Sequence, residues 1–200
     1  MRLNHLYSLP TYIDTEDNTR YNIRNRGDFR VVLDCFSALN DIELEQTYRV
    51  LVALFIFYEK FDTFEDVCSE TPERLEELIE KMYNFFNCGM PSDDRTQQYK
   101  LIDWEQDEHI IMSAVNNVAG KEVRLDSYTH WWTFMGYYNA IGESSLSFIV
   151  SIRQKIVEQK KLDKHEREFR NNNPQYFRWN SKTVEQQELD NLVMEMWNKT

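Results

Sequence analysis

The run from Val50 to Tyr58 contains nine consecutive apolar residues, and it limits the possible folds of this chain more than any other feature of its sequence. A membrane-spanning helix needs about 20 apolar residues, so this run is too short to cross a bilayer. It lies within a longer helical pattern, from Ile42 to Lys60, whose apolar positions extend nearly all round the helix. We therefore expect a central helix that other elements cover, and no association with a membrane.

The scarcity of glycine and proline favours helices in the rest of the chain. The 200 residues include only 5 Gly and 4 Pro, whereas turn-rich β folds need many of both. Hydrophobic residues make up 42% of the chain and aromatic residues 14%, which is enough for one buried core. The sequence predicts an all-α fold, a compact helical bundle of about six to seven helices.

Local patterns predict one hairpin and the starts of several helices. Tyr12-Ile13 and Tyr21–Ile23 flank the polar turn Asp14–Thr19, which is typical of a short β-hairpin. Capping residues ahead of apolar residues at helical spacing predict further helices. These begin after Asp28, after Thr71, at Asp103 (reaching Val118), after Asp126 or Ser127 (covering Tyr128–Ile141), and near Ser145 with an apolar face that ends at Leu162.

The carboxyl end is expected to be separate from the main domain. Asn171–Pro174 has the composition of a linker, and Ser181–Thr200 has the apolar spacing of an amphipathic helix. We therefore predict a helical domain with an N-terminal hairpin over residues 1–170. A linker and an extended C-terminal helical arm would occupy residues 171–200.

Charge is distributed unevenly along the chain. The net charge is −11, which argues against binding to nucleic acid. The segment Glu59–Glu80 contains nine acidic and two basic residues, whereas Arg153–Arg178 contains eight basic and four acidic ones. Basic residues alternate with aromatic ones in the second segment, a pattern that could hold single-stranded nucleic acid, but its four acids weaken that interpretation. The asymmetry favours binding to a protein partner or to other copies of the chain.

Sequence motifs for catalysis or cofactor binding are missing. The chain has no glycine-rich phosphate loop, no G-x-S-x-G and no H-E-x-x-H. The cysteines number three and lack C-x-x-C spacing, so we expect reduced thiols in a cytoplasmic protein. The acidic residues near His109 could bind a divalent metal, but a helix start matched to its dipole explains them better: Asp103, Glu105, Asp107 and Glu108. We expect neither an enzyme nor a cofactor or metal requirement.

The sequence His130-Trp131-Trp132 is the most unusual local feature. Aromatic residues at helical spacing usually form core, although Trp and Tyr also dominate protein-binding sites. On the second interpretation, together with the basic segment, the candidate partner-binding residues are Trp131, Trp132, Tyr138, Arg153, Arg167 and Arg170.

Several segments together resemble the gene-product-fifteen family of siphophages and prophages of Gram-positive bacteria. Over residues 20–170 the order and spacing match for Tyr21–Ile23, Asp28–Arg30, Asn84–Gly89, Asp103–Asp107, His130–Phe134 and Phe148–Arg153. The most specific pieces are Asp-Trp-Glu-Gln-Asp at 103–107 and His-Trp-Trp-Thr-Phe at 130–134. The family typically has Phe in place of Trp104, and the hairpin tip and the stretch after Asn171 lack a clear counterpart.

The resemblance implies a function in phage tail assembly. Members of the family are encoded near the tape measure protein and are generally taken to be tail assembly chaperones. The resemblance thus implies a helical, non-enzymatic protein of the host cytoplasm that binds the tape measure protein and helps the major tail protein polymerise. Self-association is a further expectation from the charge asymmetry. Two alternatives stay open: a structural virion component of the tail or neck, and a regulatory or nucleic-acid-handling protein that uses the basic segment.

Overall fold

The computed structural model describes residues 8–90 and 100–179. Within these ranges the chain divides into two compact units, the first comprising residues 8–90 and 115–140 and the second residues 100–114 and 141–179. The helical arm predicted for Ser181–Thr200 lies outside the described residues, so the predicted division at residue 170 stays a prediction.

The described residues form a short hairpin and eight α-helices, which confirms the predicted all-α fold with an N-terminal hairpin. The strands are β1 (Tyr12–Asp14) and β2 (Arg20–Asn22), and the helices are α1 (Phe29–Asn40), α2 (Gln46–Phe57), α3 (Phe64–Cys68), α4 (Pro72–Phe86), α5 (Glu108–Ala119), α6 (Trp131–Asn139), α7 (Ser145–Val157) and α8 (Lys164–Asn172). Short 3-10 helices cover Arg24–Gly27, Val123–Leu125 and Pro174–Tyr176. The strands are antiparallel, with Ile13 paired to Tyr21.

The core of the first unit is aromatic and centres on Phe57 of α2. Its ring lies 4.8 to 5.5 Å from the rings of Tyr58, Phe85 and Phe86. Phe29 of α1 stacks on Phe134 of α6 at 4.6 Å. Aromatic pairs at these distances stabilise a core beyond the area that they bury. The aromatic core expected around the central helix is therefore present.

Helix α2 is not covered on all sides, contrary to the expectation for the central helix. Ala53, Leu54 and Phe57 are fully buried, but the side chain of Tyr48 is 49% exposed. The helix is also shorter than the predicted range Ile42–Lys60. Packing in the core therefore does not account for the apolar residues on the opposite side of α2.

Two of the predicted helix starts are confirmed in atomic detail. The Asp28 carboxylate accepts from the backbone N–H of Arg30 at the start of α1. The Thr71 hydroxyl accepts from the N–H of Arg74, with Pro72 in the first turn of α4. Both arrangements satisfy amide groups that the first helical turn leaves without an intrahelical partner.

Three predicted helix boundaries were wrong. The helix expected from Asp103 begins at Glu108, because Asp103 instead stabilises a turn by accepting from the N–H groups of Glu105 and Gln106. Helix α6 begins at Trp131, and its cap is His130 rather than Asp126 or Ser127. The apolar pattern from Ser145 to Leu162 is interrupted: α7 ends at Val157, and Asp163 caps the separate helix α8 with a capping box.

Candidate functional site

His130 is a buried N-cap in the first unit. Its Nδ1 accepts from the backbone N–H of Trp132 at 3.0 Å, and its Nε2–H donates to the carbonyl of Pro10 at 2.9 Å. Because a neutral imidazole has one donor and one acceptor nitrogen, these two bonds fit the neutral Nε2–H form. Burial lowers the pKa of His130, although the bond to Pro10 and the nearby Asp28 carboxylate oppose that shift. The histidine therefore fixes the start of α6 and ties it to Pro10.

The two tryptophans that follow cap the end of another helix. The indole N–H of Trp131 donates to the carbonyl of Phe86, and that of Trp132 donates to the carbonyl of Phe85, both at 2.9 Å. The last carbonyls of a helix have no donor within the helix; the Trp131 indole supplies one to Phe86, and the Trp132 indole adds a second donor to the carbonyl of Phe85, which also accepts from the N–H of Cys88. The Trp131 side chain is buried and Trp132 is half-buried. This arrangement explains why two tryptophans occur in succession.

The start of α1 lies against the same segment. The backbone N–H of Phe29 donates to the carbonyl of Thr129, and the Asp28 carboxylate accepts from the N–H of Thr129 at 2.9 Å. The guanidinium of Arg30 binds Asp28 and also donates to the carbonyls of Arg124 and Asp126. Hydrogen bonds thus hold Asp28–Arg30 against Arg124–Thr129, the stretch that directly precedes His130–Phe134 and lies about 100 residues further along the chain.

Gly27 permits this close approach. Its φ is +79°, and a Cβ at this position would lie 2.8 Å from Cζ of Phe85 and 3.0 Å from Nε2 of His130. Any other residue would be strained by this backbone angle, and its Cβ would also clash with these rings. Gly27 is therefore required where the rings of α4 and the start of α6 meet.

The second unit contains a buried ion pair between Asp107 and Arg153. The Arg153 Nη1 and Nη2 atoms lie 2.6 and 2.8 Å from the two carboxylate oxygens of Asp107, and both side chains are almost completely buried. Arg153 also donates to the carbonyls of Leu101 and Tyr176, and the ring of Trp179 lies 4.4 Å from its guanidinium. Such a pair is tolerated in the interior only when its hydrogen bonds are satisfied. The network joins the turn before α5, helix α7 and residues 176–179.

Sequence reasoning missed this pair, although one signal for it was present. Asp107 and Arg153 are 46 residues apart, so no local spacing connects them. Arg153 follows Ile152 directly and lies one helical turn from Ile149, both of which are buried. A single arginine on such an apolar face indicates a buried cation that needs a carboxylate.

The candidate partner-binding residues are divided between the two units. Trp131, Trp132 and Tyr138 lie in the first unit and Arg153, Arg167 and Arg170 in the second. Trp131 and Arg153 are buried, whereas Arg167 and Arg170 on α8 are exposed and Tyr138 is half-buried. The structure gives structural roles to the two buried residues, and partner binding by this set stays a prediction.

The acidic residues near His109 do not form a metal site. Asp107 is bound by Arg153, and Asp103 by backbone amides and by Lys100. Across residues 8–90 and 100–179, no group of three or more His, Cys, Asp or Glu residues is arranged to hold a metal ion. The buried Glu166 accepts from the N–H of Asp163 within the capping box of α8. These carboxylates therefore serve the fold.

The thiols of Cys35 and Cys88 are not activated. Burial raises the pKa of the Cys35 thiol, which donates to the carbonyl of Ala53, and burial also raises the pKa of Cys88. A thiol with a raised pKa is a poor nucleophile because little thiolate forms near neutral pH. None of the described helices is long and apolar enough to cross a membrane.

Fold and networks together define a mostly helical protein whose polar clusters hold its helices and turns in place. The comparison with known families then identifies it: the chain belongs to the Bacteriophage Gp15 protein family, whose model matches residues 8–177. The match includes the hairpin and the residues just after Asn171, so it extends beyond the range 20–170 over which the sequence motifs were recognised. No curated protein and no solved structure matches the chain.

Proposed function

We propose that this phage protein is a tail assembly chaperone that binds the tape measure protein and promotes polymerisation of the major tail protein. It would act in the host cytoplasm, without catalysis and without a cofactor. The observation that carries the proposal is membership of the phage family over residues 8–177. The more specific role comes from the resemblance of Asp103–Asp107 and His130–Phe134 to segments of that family.

The surface of the described residues supports a protein-binding role. Several large apolar side chains are exposed, among them Tyr48, Met90 and Leu125, the last at 85%. A tape measure helix would present apolar stripes before a tail tube encloses it, and exposed apolar and aromatic side chains are suited to cover them.

The basic segment Arg153–Arg178, which contains helix α8, supports an electrostatic contribution to binding. Arg167 and Arg170 lie on this helix and are exposed. Exposed charges at the rim of an interface act mainly on the rate of association and on its salt dependence. An acidic stretch of the tape measure protein would therefore be attracted to α8.

Coexpression with the tape measure protein tests the proposal. The chain should keep the tape measure protein in the soluble fraction, copurify with it, and be absent from purified mature particles. Arg167→Glu with Arg170→Glu should slow association and reduce its salt dependence. Lys81→Glu with Lys121→Glu makes the same change in net charge on the first unit and is the matched control.

Presence of the chain in mature particles would instead support the alternative that it is a structural virion component. In that case the chain would be retained in finished particles at fixed stoichiometry and would not keep the tape measure protein soluble. Equal effects of the two charge reversals would exclude a specific contribution of α8.

A further inference from the structure

Helix α2 has a second apolar side that the core does not use. Successive residues of an α-helix are 100° apart, so Tyr48, Leu51, Val52 and Phe55 lie opposite the side that carries the buried Ala53 and Phe57. Phe64 of α3 lies against them. We call this surface the α2 stripe, which consists of Tyr48, Leu51, Val52, Phe55 and Phe64.

The α2 stripe is ordered by aromatic contacts but remains partly open. The ring of Phe64 stacks on Tyr48 at 6.2 Å and meets Phe55 edge-on at 6.5 Å. Tyr48 is 49% exposed, and the other four residues are half-buried. Because Tyr48 and Phe55 are seven residues apart on α2, the stripe is about 11 Å long, which is about two helical turns.

Acidic residues adjoin the α2 stripe in the sequence. Glu43 and Glu45 precede α2, whereas Asp62 and Glu65 flank Phe64, and all four are exposed. Within the described part of the chain, none of these four carboxylates makes an ion pair. Two cations are near the stripe: Arg24 donates to carbonyls at the end of α2 and its guanidinium lies 5.7 Å from the ring centre of Phe55, and Arg49 donates to the carbonyl of Leu44.

We propose that the α2 stripe binds a basic amphipathic helix of a protein partner. The apolar face of that helix would lie on Tyr48, Phe55 and Phe64, with anchors spaced i, i+3 or i+4, and i+7. Lysines or arginines beside its apolar face would lie near the four carboxylates, which favours a cationic partner over an acidic one. The assignment of this helix to the tape measure protein rests on the proposed function, whereas the chemistry of the helix does not.

The role of the surface is testable with a synthetic probe. A fluorescent peptide of about 18 residues, made of Leu and Lys with one apolar face, is titrated with the full chain and followed by anisotropy. One control is a scrambled peptide, which has the same charge but no continuous apolar face. The other is a peptide of Leu and Glu, which keeps the apolar face but is negatively charged. We expect the first peptide to bind at least about tenfold more tightly than either control.

Matched variants locate the binding surface. Tyr48→Ser with Val52→Ser removes apolar atoms from the α2 stripe and should weaken binding of the Leu and Lys peptide about tenfold. Tyr83→Ser with Val118→Ser removes the same atoms from exposed positions outside it and should leave the affinity within about twofold. Circular dichroism and thermal melting establish that both variants remain folded. Glu45→Gln with Glu65→Gln should reduce the salt dependence of binding.

Two outcomes would overturn the proposal. One is equal binding of the scrambled and amphipathic peptides, which would mean attraction by net charge alone. The other is equal loss of affinity in both double variants. Because these titrations contain no phage protein other than the chain itself, their failure together with successful coexpression would reject only the α2 stripe. Their success together with failed coexpression would reject only the chaperone role.

Discussion

Asp107 and Arg153 form a two-pronged ion pair inside the second unit, with N–O distances of 2.6 and 2.8 Å. Oδ2 of Asp107 also accepts from the backbone N–H of Asp103. The pair therefore connects the turn before α5 to the middle of α7, and it does so without exposure to solvent. Loss of either partner would leave one buried charge without its counter-ion.

Removal of either partner should destabilise the second unit strongly. Arg153→Met leaves a buried carboxylate without its cation, and Asp107→Leu leaves a buried guanidinium without its anion, so each should cost about 3–5 kcal/mol in the free energy of unfolding. The double variant should cost less than the sum of the two single ones. Urea denaturation of the four proteins measures this coupling. Strictly additive losses would show that the pair does not act as a unit.

The second unit shows why sequence patterns were only partly informative. The capping signal at Asp28 was read correctly because cap and helix are adjacent in sequence. The function of Asp107 depends on a residue 46 positions away, and local periodicity contains no information on such a pair. The local pattern of acids at 103–107 therefore predicts a helix start, although these residues form a turn that brings the Asp107 carboxylate to Arg153.

The two indole hydrogen bonds should contribute unequally to stability. Trp131→Phe leaves the carbonyl of Phe86 without its donor in a buried position, which should cost about 1–3 kcal/mol. Trp132→Phe removes the bond to the carbonyl of Phe85 at a half-buried position, where water can replace it, so about 0.5–1.5 kcal/mol is expected. Chemical denaturation of the two variants, monitored by circular dichroism, measures both losses. A larger loss for Trp132→Phe would contradict this order.

A methyl group at Gly27 should be far more harmful than one at Gly136. Gly27→Ala combines a left-handed backbone with contacts to Phe85 and His130, for a cost of about 2–4 kcal/mol. Gly136 lies within α6, and a Cβ at this position would meet open space, so Gly136→Ala should stabilise the chain by about 0.5–1 kcal/mol. Thermal melting under identical conditions gives both values, and a similar effect at the two positions would refute the assigned role of Gly27.

The start of α6 shows a second limit of sequence reasoning. Asp126 and Ser127 are better capping residues than histidine by general preference, and they precede the aromatic segment. The structure instead uses Asp126 to bind Lys121 and Thr129, and the cap is His130. Contacts with the carbonyl of Pro10 and the ring of Phe85 position the histidine ring, so the local preference did not decide the boundary.

Buried His130 should make the first unit sensitive to mild acid. The groups around its ring are the carbonyl of Pro10, the N–H of Trp132, the ring of Phe85 and the Asp28 carboxylate. Because burial lowers its pKa, the unfolded chain binds a proton more readily than the folded one. Stability should therefore be unaffected by this group above about pH 6.5 and should fall as the pH decreases below that value. Protonation would also remove the acceptor for Trp132.

The variant His130→Asn isolates this contribution. Its side-chain oxygen can still accept from an amide at the start of α6, but it does not titrate. The variant should be less stable than the wild type at pH 8, because the bond to Pro10 and the contact with Phe85 are lost. Between pH 7 and pH 5, however, its free energy of unfolding should decrease less than that of the wild type. Carboxylates with lowered pKa, such as Asp17 and Glu122, are common to both proteins and cancel in the comparison. Parallel pH profiles of the two proteins would show that His130 is not the group responsible.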